Sequence, residues 1–417
     1  MIYRGVAERL RASAAWCVAL LGLAIPISTA ADNVLLGLVV CAWLAALPIY
    51  FGQWWKSLTA IPPLLVAALL FAALLAGTLY SPVSWKDAAS AAFKYVELFL
   101  ISVLLWAAVS SATRKRALYF FLLAIVLNLI VSYTMANGVA QELPGLRTSP
   151  HYPIGFRLSV THGILVSLGA FICLLLAREA RTTAMRAPLI GLAILCAHNV
   201  LFIVVGRTGY VVLAALIAYF FVSAMRGWRG LAVSLVLVAA VFTAAYYGSG
   251  NFRERTDAIA SDVTQWKPGA GDATSVGQRL GYYLTGVQII AEHPLTGVGT
   301  GGFAQAYAEK VRGTEAVATT NPHNDYIMIG AQIGLPGVML LLLLYGVVWH
   351  TARNLASRFE RDLARGIVIT MAIAGLFNSV LLDHTEGLLF AWATALLYAG
   401  YTANKRPHTA YRADPKP

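Results

Sequence analysis

Three side chains that could do chemistry stand out in an otherwise apolar chain. They are Arg207 in Val205-Gly206-Arg207-Thr208-Gly209, Arg279 in Gln278-Arg279-Leu280, and His323 in Asn321-Pro322-His323-Asn324-Asp325-Tyr326. An arginine at the edge of hydrocarbon is costly and ordinarily has a partner. Its planar guanidinium holds a phosphate through two hydrogen bonds. Arg207 also stands just before an expected helix start, where free backbone N–H groups favour anions. The competing reading is an anchor that snorkels to lipid headgroups. Arg279 opens a second expected helix, where an arginine can also be merely solvated. His323 is suited to proton transfer near neutral pH, as a general base toward an attacking hydroxyl, although the same position suits a capping or packing histidine. Asn324 and Asp325 are candidates for capping the helix that follows. Arg147 and Arg157 bracket a smaller loop and are weaker candidates for substrate contact.

The elements that must position these residues are membrane helices. The 417-residue chain is 59% hydrophobic and 12% charged, with a mean hydropathy of +0.69, whereas soluble domains carry about 25% charged residues. A span needs about 20 apolar residues. Such runs lie near 13–31, 34–50, 62–79, 90–109, 117–136, 158–177, 187–205, 209–225, 230–247, 335–350, 366–382 and 386–402. The expectation is an all-α polytopic protein of about 12 spans, with the first run retained as a helix rather than cleaved.

Basic clusters fill alternate loops: Arg4, Arg9 and Arg11; Lys56; Arg114, Lys115 and Arg116; Arg178, Arg181 and Arg186; Arg226 and Arg229; Arg353, Arg358, Arg361 and Arg365; and Lys405 onward. The positive-inside rule makes this set cytoplasmic and both termini internal. The net charge of +12 is then a topology signal. No basic stripe with interleaved aromatics points to nucleic acid; the expected surroundings are membrane lipid. Outside lie two longer segments, near 137–157 and 248–334. The second has helical periodicity in Phe252, Ile259, Val263 and Trp266, and again from Val276 to Ile290 after a cap at Thr274 or Ser275. Residues 1–417 read as a single integral membrane domain with the 248–334 loop inserted in it.

Several other features carry less. Gly297-Val298-Gly299-Thr300-Gly301-Gly302 has neither the preceding strand nor the following Lys-Ser/Thr of a phosphate loop, so a chain-redirecting turn is expected, with freedom to act as a hinge. Cys17, Cys41, Cys173 and Cys196 lie in apolar runs and read as packing residues. Asp383, His384 and Glu386 could bind a cation, but helix capping is the simpler reading; no metal site and no cofactor is expected. Lys94 and Glu97, three apart in the fourth run, read as a mutually neutralising pair. Chemistry on the outer face lacks ATP and nucleotide sugars. It must use a donor already activated and already in the membrane, and lipid-linked diphosphates are that class.

The His-Asn pair followed by Ile327 and Gly334, the segment from Gln278-Arg279-Leu280 to Glu292-His293-Pro294-Leu295-Thr296-Gly297-Val298-Gly299, and Gly206-Arg207-Thr208 together resemble the O-antigen ligase family. The likeness covers roughly the second half of the chain. It implies a GT-C-like membrane glycosyltransferase of the inner membrane that needs no metal. The donor would be an undecaprenyl-diphosphate-linked glycan and the acceptor the lipid A–core oligosaccharide, with the site facing the periplasm. By this resemblance His323 takes the catalytic histidine's place, and Arg207 and Arg279 those of the two essential arginines. Tyr283 stands where the family often has tryptophan, so stacking on substrate remains possible. Asn324, Tyr283, Arg147 and Arg157 are candidate substrate contacts. Rivals are an O-antigen polymerase, a protein O-oligosaccharyltransferase and a lipid-linked glycan transporter. Polymerases often have a glycine eleven residues after outer-loop arginines; Arg147, Arg157, Arg253, Arg255, Arg279 and Arg312 lack it.

Overall fold

The computed structural model describes residues 2–139, 148–225, 228–266 and 274–404. Among these the architecture is helical, with one isolated β-bridge between Ser149 and Tyr152. The helices are α1 (Ile2–Ile27), α2 (Thr29–Ala60), α3 (Pro62–Gly77), α4 (Trp85–Phe93), α5 (Glu97–Ala107), α6 (Ser111–Ala136), α7 (Ser159–Glu179), α8 (Thr183–His198), α9 (Arg207–Ala224), α10 (Trp228–Gly248), α11 (Gly250–Gln265), α12 (Ser275–Glu292), α13 (Phe303–Val311), α14 (Asp325–Thr351), α15 (Arg358–Phe377) and α16 (His384–Asn404). Each expected apolar run overlaps at least one of them; 90–109 is split between α4 and α5, and 366–382 outlasts α15. Among the described residues eight helices are long and apolar enough to cross a membrane, or nine if α4 and α5, bent by 43°, form one broken span. The protein is an all-α, multi-pass membrane protein.

Local chemistry sets the helix ends. Ser28, Ser84, Ser110, Thr182, Ser249, Thr274 and Ser357 accept backbone N–H bonds at the starts of α2, α4, α6, α8, α11, α12 and α15, which matters most where water is excluded. Small residues set the close crossings. Gly163 of α7 meets Gly209 of α9, and a side chain at either would press on the other's backbone at 3.0 Å. This small-residue contact lets two membrane helices touch and fixes Arg207 at the mouth of α9. One turn of π-helix, Asn199–Ile203, precedes it. There Asn199 accepts from His162 at 2.8 Å and donates to Ser132 at 2.8 Å. His162 Nδ1 accepts from the Gly155 N–H at 3.1 Å, so Nε2 carries the ring proton.

Residues 248–334 contain α11, α12 and α13, and Thr274 is the α12 cap. The first eight residues of α14 join that layer: Tyr282, Ile289, Phe303, Tyr307, Met328 and Ala331 share one apolar core. The tenth apolar run begins a helix ten residues earlier than expected, at Asp325, and the helix breaks at Ile333 and Gly334, where Gly334 has φ 72°. The glycine cluster repairs that break. Val298 N donates to Ala331 O at 2.8 Å, Gly299 N to Gln332 O at 3.0 Å, and Leu335 N to Pro294 O at 2.8 Å. Thr300 ties the same loop to α3 through Gly77 O and Leu74 O. Gly297–Gly302 is therefore a pinned turn that completes a broken membrane helix.

The Lys94–Glu97 pair does not form. The chain bends between α4 and α5 at Lys94, and Glu97 instead accepts from His384 Nδ1 at 2.8 Å. Gly286 brings α12 against α14, since a Cβ there would lie 2.3 Å from the Ile327 side chain. Gly286→Leu is expected to lower stability by ~1–3 kcal/mol through overpacking, read as a lower unfolding midpoint in detergent.

Candidate active site

Five of the six residues of Asn321–Tyr326, all but Pro322, make hydrogen bonds that anchor the stretch. Asn321 Oδ1 accepts from the His323 N–H at 2.8 Å and from Ser379 Oγ at 2.7 Å. This turn holds His323 at φ 53°, the one non-glycine positive φ among the described residues. Backbone held in a sparsely populated region clusters at functional sites. Asn324 caps α14 through Ile327 N at 3.0 Å and donates to Leu376 O at 3.0 Å. Buried Asp325 accepts from Leu381 N at 3.1 Å, and Tyr326 donates to Ala372 O at 2.9 Å. The whole stretch is fastened to the end of α15 and the corner before α16.

That corner orients the imidazole. His323 Nδ1 lies 2.9 Å from Asn378 Oδ1, and Asn378 Nδ2 donates to Asp383 Oδ2 at 3.1 Å. A carboxylate only accepts, so it fixes the amide's orientation. The amide oxygen then faces His323, and Nδ1 is the protonated nitrogen. Nε2 is left with its lone pair, and it makes no hydrogen bond among the described residues. Burial raises the Asp383 carboxyl above its ordinary range; the charges of His323 and Lys94 and the Asn378 bond pull it back down. Lys94, at the α4–α5 bend, is thus within electrostatic reach of Asp383. Tyr282 lies 6.3 Å from the His323 ring, centroid to centroid.

On α12, Tyr283 donates to Leu376 O at 2.7 Å and to His323 O at 3.2 Å. Burial raises its phenol, and the positive charge of Arg279, one turn earlier, opposes this. Arg279 and Arg207 line one cavity of about 390 Å³, together with His151, Tyr152, Ser159, Thr208, Glu254 and Ser275. Arginines from two elements 72 positions apart in sequence (279 − 207) therefore converge on one space, with a single carboxylate opposing them.

The other candidates are placed differently. The Arg157 guanidinium is taken up by Asp32 Oδ2 at 2.9 Å, Ile25 O and Thr29 Oγ1, at the junction of α1 and α2. Arg147 lies outside the described residues. Asp383 and His384 do not act together: Asp383 faces Asn378, while both His384 nitrogens bond to carboxylates, those of Asp32 at 2.9 Å and Glu97 at 2.8 Å. Among the described residues no group of three or more His, Cys, Asp or Glu is arranged to hold a metal ion.

The O-antigen ligase family model matches residues 191–342. Residues 191–342 are an O-antigen ligase domain. The match takes in Arg207, Arg279 and His323, and with them the whole of α9 to α13. No curated protein matches the chain. Asn378 and Asp383 lie beyond the matched ligase region, and sequence reading missed their link to His323. The signal was present: Asn378-Ser379 interrupts the run taken as a span over 366–382. The helix in fact stops at Phe377, and Asn378 is extended.

The amide chain makes a spectroscopic prediction. In ¹⁵N-histidine spectra at neutral pH, the signal lost on His323 substitution should show a protonated Nδ1 and an unprotonated Nε2. Asn378→Leu should abolish that tautomer preference without unfolding the protein. The reverse tautomer in the wild type would contradict the geometry.

Proposed function

We propose that the protein is a glycosyltransferase that moves an O-antigen glycan from undecaprenyl diphosphate to a sugar hydroxyl of the lipid A–core oligosaccharide. It acts at the periplasmic face of the inner membrane, as a GT-C-type enzyme of about 12 spans with both termini cytoplasmic. Membership of residues 191–342 in the ligase family supports a lipid-linked glycan donor and a lipid acceptor. The observation that carries the reading is the convergence of Arg207 and Arg279 on one cavity, with Arg279 one helical turn from the tyrosine that holds His323.

The steps follow from the residues. Arg207 and Arg279 bind the diphosphate as a charge-assisted pair. The acceptor hydroxyl oxygen attacks the anomeric carbon from the face opposite the diphosphate and gives its proton to His323 Nε2. The bond between the anomeric carbon and the diphosphate oxygen breaks as the new glycosidic bond forms, and configuration inverts. Undecaprenyl diphosphate leaves with its negative charge facing the arginines, which supply the cationic stabilisation. The Asn378–Asp383 chain keeps Nδ1 protonated throughout and sets a carboxylate beyond the imidazolium that forms. Tyr283 and Asn324 set the position of His323 and need not touch substrate.

The test is purified full-length protein with undecaprenyl-diphosphate glycan and lipid A–core, with chelator present. Glycan joined to lipid A–core is the expected product. A lengthened lipid-linked glycan would instead assign a polymerase, and glycan on protein an oligosaccharyltransferase. Arg207→Ala and Arg279→Ala are each expected to lower the ligation rate about 10²–10³-fold, the scale of removing one donor to a developing charge, and to weaken donor binding. Asp383→Asn should lower kcat with little change in KM for the acceptor.

A further inference from the structure

The end of the bundle remote from His323 holds a second cavity. There α6, α7, α15 and α16 part around a space of about 300 Å³. Its walls are apolar, with Phe121, Leu168, Ile172, Ile367, Trp392 and Leu396 among them. It reaches from Glu179 at the mouth to Leu168, eleven residues up α7 (179 − 168). At 1.5 Å rise per residue that is ~16 Å, about half of a ~30 Å hydrocarbon layer. The cavity thus has the depth of one leaflet. Two of its walls, α6 and α7, are long and apolar enough to cross a membrane, so an apolar space opening beside them meets lipid rather than water.

The mouth carries both signs of charge. Arg114 and Lys115 stand on the first turn of α6, Glu179 on the last turn of α7, and Glu360 on the first turn of α15. Glu360 is occupied in capping, its Oε2 accepting from Ser357 N at 3.2 Å. Arg114 Nη1 is 3.7 Å from Glu360 Oε1 and is buried with no hydrogen-bond partner. Lys115 and Glu179 are exposed and form no ion pair among the described residues. An unpaired cation and an unpaired anion therefore flank an unsatisfied guanidinium nitrogen at the opening of an acyl-deep slot.

We propose that this cavity is a structural site for one zwitterionic phospholipid with a primary ammonium, a phosphatidylethanolamine. An acyl chain fills the apolar shaft. The phosphate takes Arg114 and Lys115, and the ammonium donates to Glu179. Basic pockets between membrane helices on the cytoplasmic side bind anionic lipid headgroups through their phosphates, and the carboxylate at this mouth adds a partner for an ammonium. A purely anionic headgroup would leave Glu179 unpaired beside negative charge, and a quaternary ammonium has no N–H to donate.

Native mass spectrometry of the full chain, delipidated and then given equal phosphatidylethanolamine, phosphatidylglycerol and phosphatidylcholine, tests this. One phosphatidylethanolamine should stay bound under activation that strips the other two. The surface double substitution Lys115→Ala/Glu179→Gln should lower its retention at least tenfold, and Leu168→Trp should remove it by filling the shaft. Neither should change ligation by more than about twofold, because the site lies at the opposite end of α15 from His323. Preferential retention of phosphatidylglycerol or phosphatidylcholine would overturn the headgroup assignment. Undiminished retention in the double variant would overturn the site, and that result stands even if Leu168→Trp fails to fold.

Discussion

A helix end leaves carbonyl groups without an intrahelical partner, and each must find a donor. The end of α15 is such a place, and the candidate-site corner is built around it. The Leu376 carbonyl accepts from Tyr283 and from Asn324. The donors that satisfy it come from α12 and from the stretch containing His323, so closing one helix end draws Arg279's helix and the histidine together. Two residues on, the chain leaves α15 extended at Asn378, which places its amide against the imidazole.

The same economy appears at the neighbouring corner. Asp32 is fully buried and accepts from both Arg157 and His384, and Glu97 takes the other His384 nitrogen. With two carboxylate acceptors the ring has no lone pair to spare and is held as imidazolium. Buried charges are costly unless paired, and this cluster, in which Glu97 Oε2 alone lacks a hydrogen-bond partner, is a four-part junction of α1–α2, α5, α16 and the stretch of chain entering α7. At the other end of the bundle, Arg178 and Asp362 meet at 2.6 Å with Tyr219 also donating to the carboxylate. These ties join the chain entering α7 to α2, the start of α16 to α2 and α5, and the end of α7 to the start of α15.

Much of this was legible in the sequence. Apolar runs and periodicity located most of the helices, including α11 and α12 in the 248–334 loop, with Thr274 one of two cap candidates. Residue type and position, together with the family resemblance, singled out Arg207, Arg279 and His323 as candidates. What remained hidden depends on contacts distant in sequence. Arg157 read as a possible substrate contact because its partner Asp32 lies 125 positions away. Glu97 read as the partner of Lys94 by spacing, but a bend between α4 and α5 turns the two apart. Asn378 was lost inside an apolar run because polarity at a single position does not reveal that a helix stops there. The glycine cluster read correctly as a turn, yet its role as the complement of a break in α14 needs the broken helix in view.

The account rests on His323 Nε2 as the base and on the arginines as the donor's grip, two roles that can be separated. The decisive measurement is single-turnover ligation by wild type and His323→Ala, with donor binding measured in parallel on the same samples. The prediction is donor affinity within about twofold of wild type and a ligation rate lower by ~10²–10⁴-fold, the usual contribution of general-base catalysis. A His323→Ala protein that ligates at the wild-type rate, or that loses donor binding in proportion to its rate, would contradict it.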